Sequence, residues 1–117
     1  VTRGDVYLAR LGPSEDSEQA GVCPVVVISR DAINRSSPVV IVVPCTTWSE
    51  GRRLYPSQVP LHAPEGGLRV DSIALAEQVR AISKRRLTEL WGTLTPSSLR
   101  GLERALAIAM DLPGQFD

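Results

Sequence analysis

The side chains able to do chemistry in this chain fall near the ends of apolar runs: Glu18 and Gln19, Ser29, Asn34, Thr46 and Thr47, Arg52 and Arg53, and Gln78 and Arg80. Hydroxyls and carboxamides exchange hydrogen bonds without changing charge, and an arginine fork holds two oxygens of a phosphate or carboxylate at once. Together they suit recognition of a polar, anionic chain. The same residue types also suit turns and sheet edges, where Ser, Thr and Asn satisfy backbone groups locally. Composition alone favours that simpler role.

Proton-transfer chemistry has few carriers. His62 is the single histidine and closes an alternating stretch, Val59 to His62, where a sheet-edge surface position is the ordinary outcome. Cys23 and Cys45 stand inside apolar strands and are too few for a disulfide framework. Reduced thiols are the expectation, with a Cys23–Cys45 bridge as the minor alternative if the two strands are neighbours. One histidine and two scattered cysteines lack the clustered spacing of a metal site, so neither metal nor cofactor is expected. Phosphate loop, dinucleotide fingerprint and nucleophile elbow are all missing.

At 117 residues the chain supports one hydrophobic core and not two, so residues 1–117 are read as a single domain. Thirteen basic and thirteen acidic residues cancel overall. They are unevenly mixed: three arginines meet five acids up to Asn34, whereas ten basic residues meet six acids from Arg35 to Arg104. Such a local excess provides a basic face, and it is equally the composition of a solvated surface. No apolar run reaches bilayer-crossing length and the first residues lack a signal peptide's apolar segment, which makes a soluble, cytoplasmic protein the expectation.

Two runs must position the polar groups. Val25-Val26-Val27-Ile28 and Val39-Val40-Ile41-Val42-Val43 are β-branched at every position, the pattern of strands covered on both faces. The first is the expected central strand, entered through Cys23-Pro24 from the polar loop Gly12 to Gly21 and left through Ser29 to Asn34. Pro24 fits only at a strand's start or edge. Val6 to Arg10 alternates as a first strand, Val59 to Leu61 reads as an edge strand, residues 71–82 form one bent strand or two, and Asp31 to Pro38 reads as a loop. Ser83 is a natural N-cap for a short helix over Lys84 to Leu90, although three cations in its first turn oppose the helix dipole. Trp91 to Leu94 is then the last short strand. Thr95-Pro96 starts a final helix whose Leu99, Leu102, Leu106 and Ala109 share one face. About six short strands and one amphipathic C-terminal helix predict a mainly β, α+β fold, a small bent sheet or barrel with the helix packed on it.

The order of motifs adds a resemblance. Arg3-Gly4-Asp5-Val6-Tyr7, the run Ser17-Glu18-Gln19-x-Gly21-x-x-Pro24 into Val25–Ser29, then Asn34, then Val43-Pro44-Cys45-Thr46-Thr47, and finally Glu77-Gln78-Val79-Arg80 before Ser83-Lys84-Arg85-Arg86-Leu87, resemble the MazF/PemK (Kid) family of toxin endoribonucleases over nearly the whole chain. The resemblance implies an SH3-like barrel, shared with CcdB, with a C-terminal helix and a homodimeric assembly. It implies growth inhibition by sequence-specific, metal-independent cleavage of single-stranded RNA such as mRNA, countered by an antitoxin whose acidic, flexible tail lies over the RNA groove. Thr46 matches the family's catalytic threonine, and Glu18, Gln19 and Gln78 match positions that shape the pocket and contact RNA. Ser29, Asn34 and Thr47 join them as candidate RNA contacts.

One position departs from that pattern. The family has its catalytic arginine directly before the proline of the central strand, and this chain has Cys23 there. A thiol of ordinary pKa is neutral at pH 7 and does not hold phosphate oxygens as a guanidinium does. Arginines that stabilise phosphoryl-transfer transition states are worth roughly a thousandfold or more in rate, so attenuated cleavage is expected unless Arg52, Arg53 or Arg80 substitutes. Two alternatives remain: a catalytically silent homologue that still captures an antitoxin, and, ranked last, a gyrase poison of the CcdB kind.

Overall fold

The computed structural model describes residues 1–13 and 15–113; Ser14, in the expected first loop, and residues 114–117 lie outside the described residues. Among the described residues, seven strands and two α-helices follow in the order β1 (Asp5–Gly12), β2 (Gly21–Val27), α1 (Asp31–Ser36), β3 (Val39–Thr47), β4 (Gln58–Leu61), β5 (Ser72–Leu75), β6 (Arg80–Ser83), β7 (Leu87–Thr93) and α2 (Pro96–Ala109). The sheet is antiparallel, ordered β4-β5-β3-β2-β1-β7, with β6 also paired to β3.

The apolar runs of β2 and β3 are buried over Val25–Val27 and Val42–Cys45, where each face meets a separate core, whereas Val39 and Ile41 at the start of β3 are exposed. Val26, Val43 and Cys45 join Leu61, Leu68 and the helix residues Leu102, Ala105 and Leu106 on one face. Cys23, Val25, Val27, Val40 and Val42 pack with Ala9, Leu11 and Ile82 on the other. The expected central strand is therefore in place. Cys23 and Cys45 belong to opposite faces, which excludes the disulfide alternative, and both are free thiols.

Helix α2 begins as the sequence implies, with Pro96 in its first turn and the Thr95 hydroxyl accepting a hydrogen bond from the Ser98 N–H. Its buried face is Leu102, Ala105, Leu106 and Ala107, with Leu99 half-buried, whereas Ala109, expected on that face, is exposed in the last turn.

Residues 71–82 take the two-strand form of the two expected, with a 3-10 turn at Ala76–Gln78 between the strands, which brings the described strands to seven. Two other expectations are corrected. The segment Asp31–Pro38 contains the short helix α1: the Asp31 carboxylate accepts the Arg3 N–H at 2.8 Å, a tertiary contact, and the Asn34 carboxamide at 3.1 Å from within the helix. The helix expected over Lys84–Leu90 is only a 3-10 turn, Lys84–Arg86, capped by Ser83. From Leu87 the chain pairs with β1, Ala9 opposite Leu87, and sheet pairing displaces a helix whose leading cations oppose its dipole.

No ladder among the described residues joins β4 to β7, so the mainly β fold with its C-terminal helix is an antiparallel sheet whose two ends are not hydrogen-bonded to each other. The sheet is instead bent until Leu61 of β4 and the segment Trp91–Leu94 reach the same core. A turn at Glu65–Gly67 fills the gap between the two ends. A Cβ on Gly67 would sit 2.2 Å from the Trp91 carbonyl oxygen, and one on Gly92 would sit 2.7 Å from the Gly66 carbonyl carbon. Gly66 and Gly67 also hold φ of 62° and 75°, so glycine is required there for both conformation and contact.

Candidate active site

Strands β2 and β3 pair through Val25 and Pro44 and then separate. Into that opening reaches the loop before β2. The Gln19 carboxamide donates to the Cys45 carbonyl at 3.3 Å, and the Gln19 backbone N–H donates to the Gln78 side-chain oxygen at 2.7 Å. The Gln78 amide in turn donates to the Ser17 carbonyl at 3.0 Å. Two glutamines thus stitch the loop to β3 and to the turn before β6.

Beside this stitch lies a cavity of about 300 Å3, whose lining includes Gln19, Cys23, Thr46, Thr47, Arg69 and Trp91. Thr46 is half-buried opposite Ile73 of β5, and among the described residues its hydroxyl has no hydrogen-bond partner. It is free to donate to a ligand. Cys23 is only 6 % exposed. Burial pushes its thiol up to about 11, against the opposing pull of the Cys45 backbone and of the Arg80 charge, so it is neutral at pH 7. Burial likewise pushes Cys45 up to about 12, with Cys23 adding to the rise. The described lining holds hydroxyl, amide and guanidinium donors and no carboxylate. Such a wall is suited to an anion's oxygens.

The structure brings together Gln19, Cys23, Thr46, Thr47 and Gln78, with Arg80 close enough for its charge to act on Cys23. It separates the others. Glu18 is exposed, and its carboxylate accepts the Glu15 N–H at 2.9 Å, closing a local turn within the loop. Ser29 and Asn34 are buried partners of one another: the Asn34 amide donates to the Ser29 carbonyl at 2.9 Å, and the Ser29 hydroxyl oxygen accepts the Ile41 N–H at 3.1 Å. They tie α1 to β3, away from the cavity. Arg52 and Arg53 are exposed beyond β3, Arg53 lying 5.3 Å from the Tyr55 ring centroid, and neither lines the cavity. His62 packs against Trp48 with the rings tilted at 47° and their centroids 5.4 Å apart, and it faces Asp71 at 3.7 Å, also outside the cavity.

Arg69 and Trp91 are the lining residues that periodicity did not single out. The Arg69 guanidinium carbon lies 4.5 Å from the Trp91 ring centroid. A cation and an aromatic 22 positions apart in the chain carry no joint local signal; only the turn at Gly66-Gly67 superposes them.

Residues 2–110 match the family described as PemK-like, MazF-like toxin of type II toxin-antitoxin system. The chain belongs to the MazF/PemK family. It is 40 % identical over 117 residues to the endoribonuclease MazF of Staphylococcus epidermidis, covering all of this chain and 96 % of the relative. Among solved structures it resembles a mycobacterial endoribonuclease in complex with its cognate antitoxin, with TM-score 0.80, 28 % identity, and coverage of 97 % of this chain and 98 % of that one. MazF from Deinococcus radiodurans matches with TM-score 0.79 at 25 % identity, covering 95 % and 96 % of the two chains. This MazF/PemK homologue is thus similar to MazF endoribonucleases along its whole length. None of its described helices is long and apolar enough to cross a membrane.

Proposed function

We propose that this chain is a sequence-specific endoribonuclease toxin that takes single-stranded RNA into the cavity of Thr46 and Cys23, with cleavage attenuated because an uncharged thiol stands in the place of the family's catalytic arginine. The carrying observation is Cys23 itself, buried, neutral and next to Thr46. In the proposed reaction the ribose 2′-oxygen forms a bond to the adjacent phosphorus as the bond to the 5′-oxygen breaks. The 2′-proton passes to a base, and the leaving oxygen takes a proton. Products are a 2′,3′-cyclic phosphate and a 5′-hydroxyl. Thr46 donates to a phosphate oxygen, Thr47 contacts the adjoining nucleotide, Gln19 and Gln78 hold the loop against the strand, and Arg80 supplies the remaining positive field. Loss of the arginine removes a bidentate partner for the charge that develops on phosphorus, at a cost of about a thousandfold in rate.

Two partners belong to this reading. A second groove, of about 780 Å3, is floored by Ile28, Ile41, Val79, Leu106 and Met110 with Arg80 at its margin. Ile41 and Met110 are exposed, and apolar surface of this kind marks an interface. We assign it to a homodimer contact. An antitoxin with an acidic tail is the second partner, drawn to Arg80 and to the Arg52–Arg53 loop. The absence of any carboxylate from the described cavity lining favours a second reading, a silent homologue that binds RNA and antitoxin without cutting.

The test is cleavage of a long single-stranded RNA in EDTA by the native chain and by Cys23→Arg, with product ends identified. Cyclic phosphate and 5′-hydroxyl ends from the arginine form, at a rate about a thousandfold above the native chain, support attenuation. Equal cutting by both forms overturns the role given to Cys23. No cutting by either moves the silent homologue ahead.

A further inference from the structure

We propose that the cavity beside Thr46 is a nucleobase pocket whose outer wall is Arg69 laid over Trp91, and that this pair selects the base accepted next to the bound phosphate. The inference rests on the RNA-binding reading above and assigns its specificity.

The wall is built rather than incidental. Gly66 and Gly67 press the chain backbone to backbone against Trp91 and Gly92, closer than any side chain permits. Arg69 follows two residues later and is thereby delivered onto the indole at 4.5 Å. At the other end of the same segment, Ser72 pairs with Thr47 and Ile73 with Thr46. The span from Gly67 to Ser72 is therefore anchored at both ends, one on the tryptophan and one beside Thr46.

The cavity's composition fits a base. Val22, Pro24, Leu68 and Val70 give it apolar sides, Thr47 adds an exposed hydroxyl, and the Ser72 hydroxyl is held in place by donating to the Val70 carbonyl at 2.9 Å. Val22 is 61 % and Val70 52 % exposed, so apolar surface stands open at the mouth. A planar heterocycle covers such surface while meeting the hydroxyls with its edge. Arg69 is 70 % exposed at its side chain, and its carboxylate neighbour Glu89 is at 3.8 Å, the outer limit of an ion pair, so its guanidinium retains a face and charge to offer. Unpaired bases are read in this way, by stacking on aromatic rings and guanidinium planes with a few edge hydrogen bonds. An acidic peptide needs the charge but has no use for the stack.

The experiment uses the full chain in EDTA with an end-labelled, random-sequence single-stranded RNA pool, sequencing the retained molecules. Native chain is compared with Arg69→Ala, Arg69→Lys and Trp91→Phe, each checked for an unchanged melting temperature. Arg69→Ala is expected to weaken retention about tenfold and to flatten the base preference at one position. Arg69→Lys keeps the charge without the planar fork and is expected to leave the preference flat; Trp91→Phe, which keeps a ring, is expected to retain it. A preference that survives Arg69→Ala, or is fully restored by lysine, overturns the pocket while leaving RNA binding intact. Weaker binding of a poly-glutamate peptide with RNA retention unchanged would make the wall a peptide surface and overturn it too. If the native chain retains no RNA at all, the RNA-binding reading itself falls, and the pocket falls with it.

Discussion

Replacing Gln78 with alanine should release the loop before β2 without unfolding the chain. The Gln78 side chain accepts the Gln19 N–H at 2.7 Å and donates to the Ser17 carbonyl at 3.0 Å, and the substitution removes both bonds. A net hydrogen bond contributes about 1 kcal/mol, and the partly buried Gln19 N–H would lose its acceptor, so the loop should lose roughly 2 kcal/mol of closure. That corresponds to about 30-fold more frequent opening. The remaining tie, Gln19 to the Cys45 carbonyl at 3.3 Å, is longer. Amide hydrogen exchange reads the effect directly, because the Gln19 N–H is itself the donor: its exchange should accelerate about 30-fold, while amides of Val25–Val27 hold their rates. Gln78→Glu keeps the acceptor and turns the Ser17 contact from attraction to repulsion, so Gln19 should fall between native and alanine forms. RNA affinity should weaken by up to the same factor if binding requires the closed loop. Exchange at Gln19 changing less than threefold in Gln78→Ala, or faster in the glutamate than the alanine form, would refute this account of the stitch.

Three further outcomes follow from the geometry. Stability should decline as pH rises from about 9 toward 11, because the folded state holds Cys23 and Cys45 protonated, with values of about 11 and about 12, while the unfolded chain ionises near 8.5; the contribution is fully present below that range. Urea unfolding at pH 8 and pH 10.5 should show a smaller decline in Cys23→Ala than in the native chain, and an identical decline would refute the assignment. Gly67→Ala should destabilise by several kcal/mol, since its Cβ would lie 2.2 Å from the Trp91 oxygen at a φ of 75°, and a thermal shift under 2 °C would contradict that contact. Asn34→Ala should cost about 1–3 kcal/mol by stripping partners from buried Ser29, yet leave RNA retention per folded molecule unchanged; a selective loss of RNA binding would return Asn34 to the site.

Much of the site was legible where local pattern carries the information. Gln19, Cys23, Thr46 and Gln78 sit at the ends of strands whose β-branched runs are visible in the chain, and they do converge. Ser29 and Asn34 share the same residue types and the same strand-end location but turn inward to each other. Residue type does not encode which way a strand end bends. Arg52 and Arg53 were natural candidates as adjacent cations, whereas the cation in the cavity wall is Arg69, delivered by a glycine turn with no charge pattern of its own.

The sequence by itself determined the two β-branched strands, the helix that starts at Thr95-Pro96 and the family. Those follow from periodicity, capping chemistry and motif order, all of which act over neighbouring residues. Only the tertiary structure decided that Cys23 and Cys45 face opposite cores, that the strand after Lys84–Arg86 replaces a helix, and that Arg69 meets Trp91 beside Thr46. Each depends on sheet register and on the close backbone approach at Gly66, Gly67 and Gly92, where the absence of a side chain fixes a contact between segments far apart in the chain.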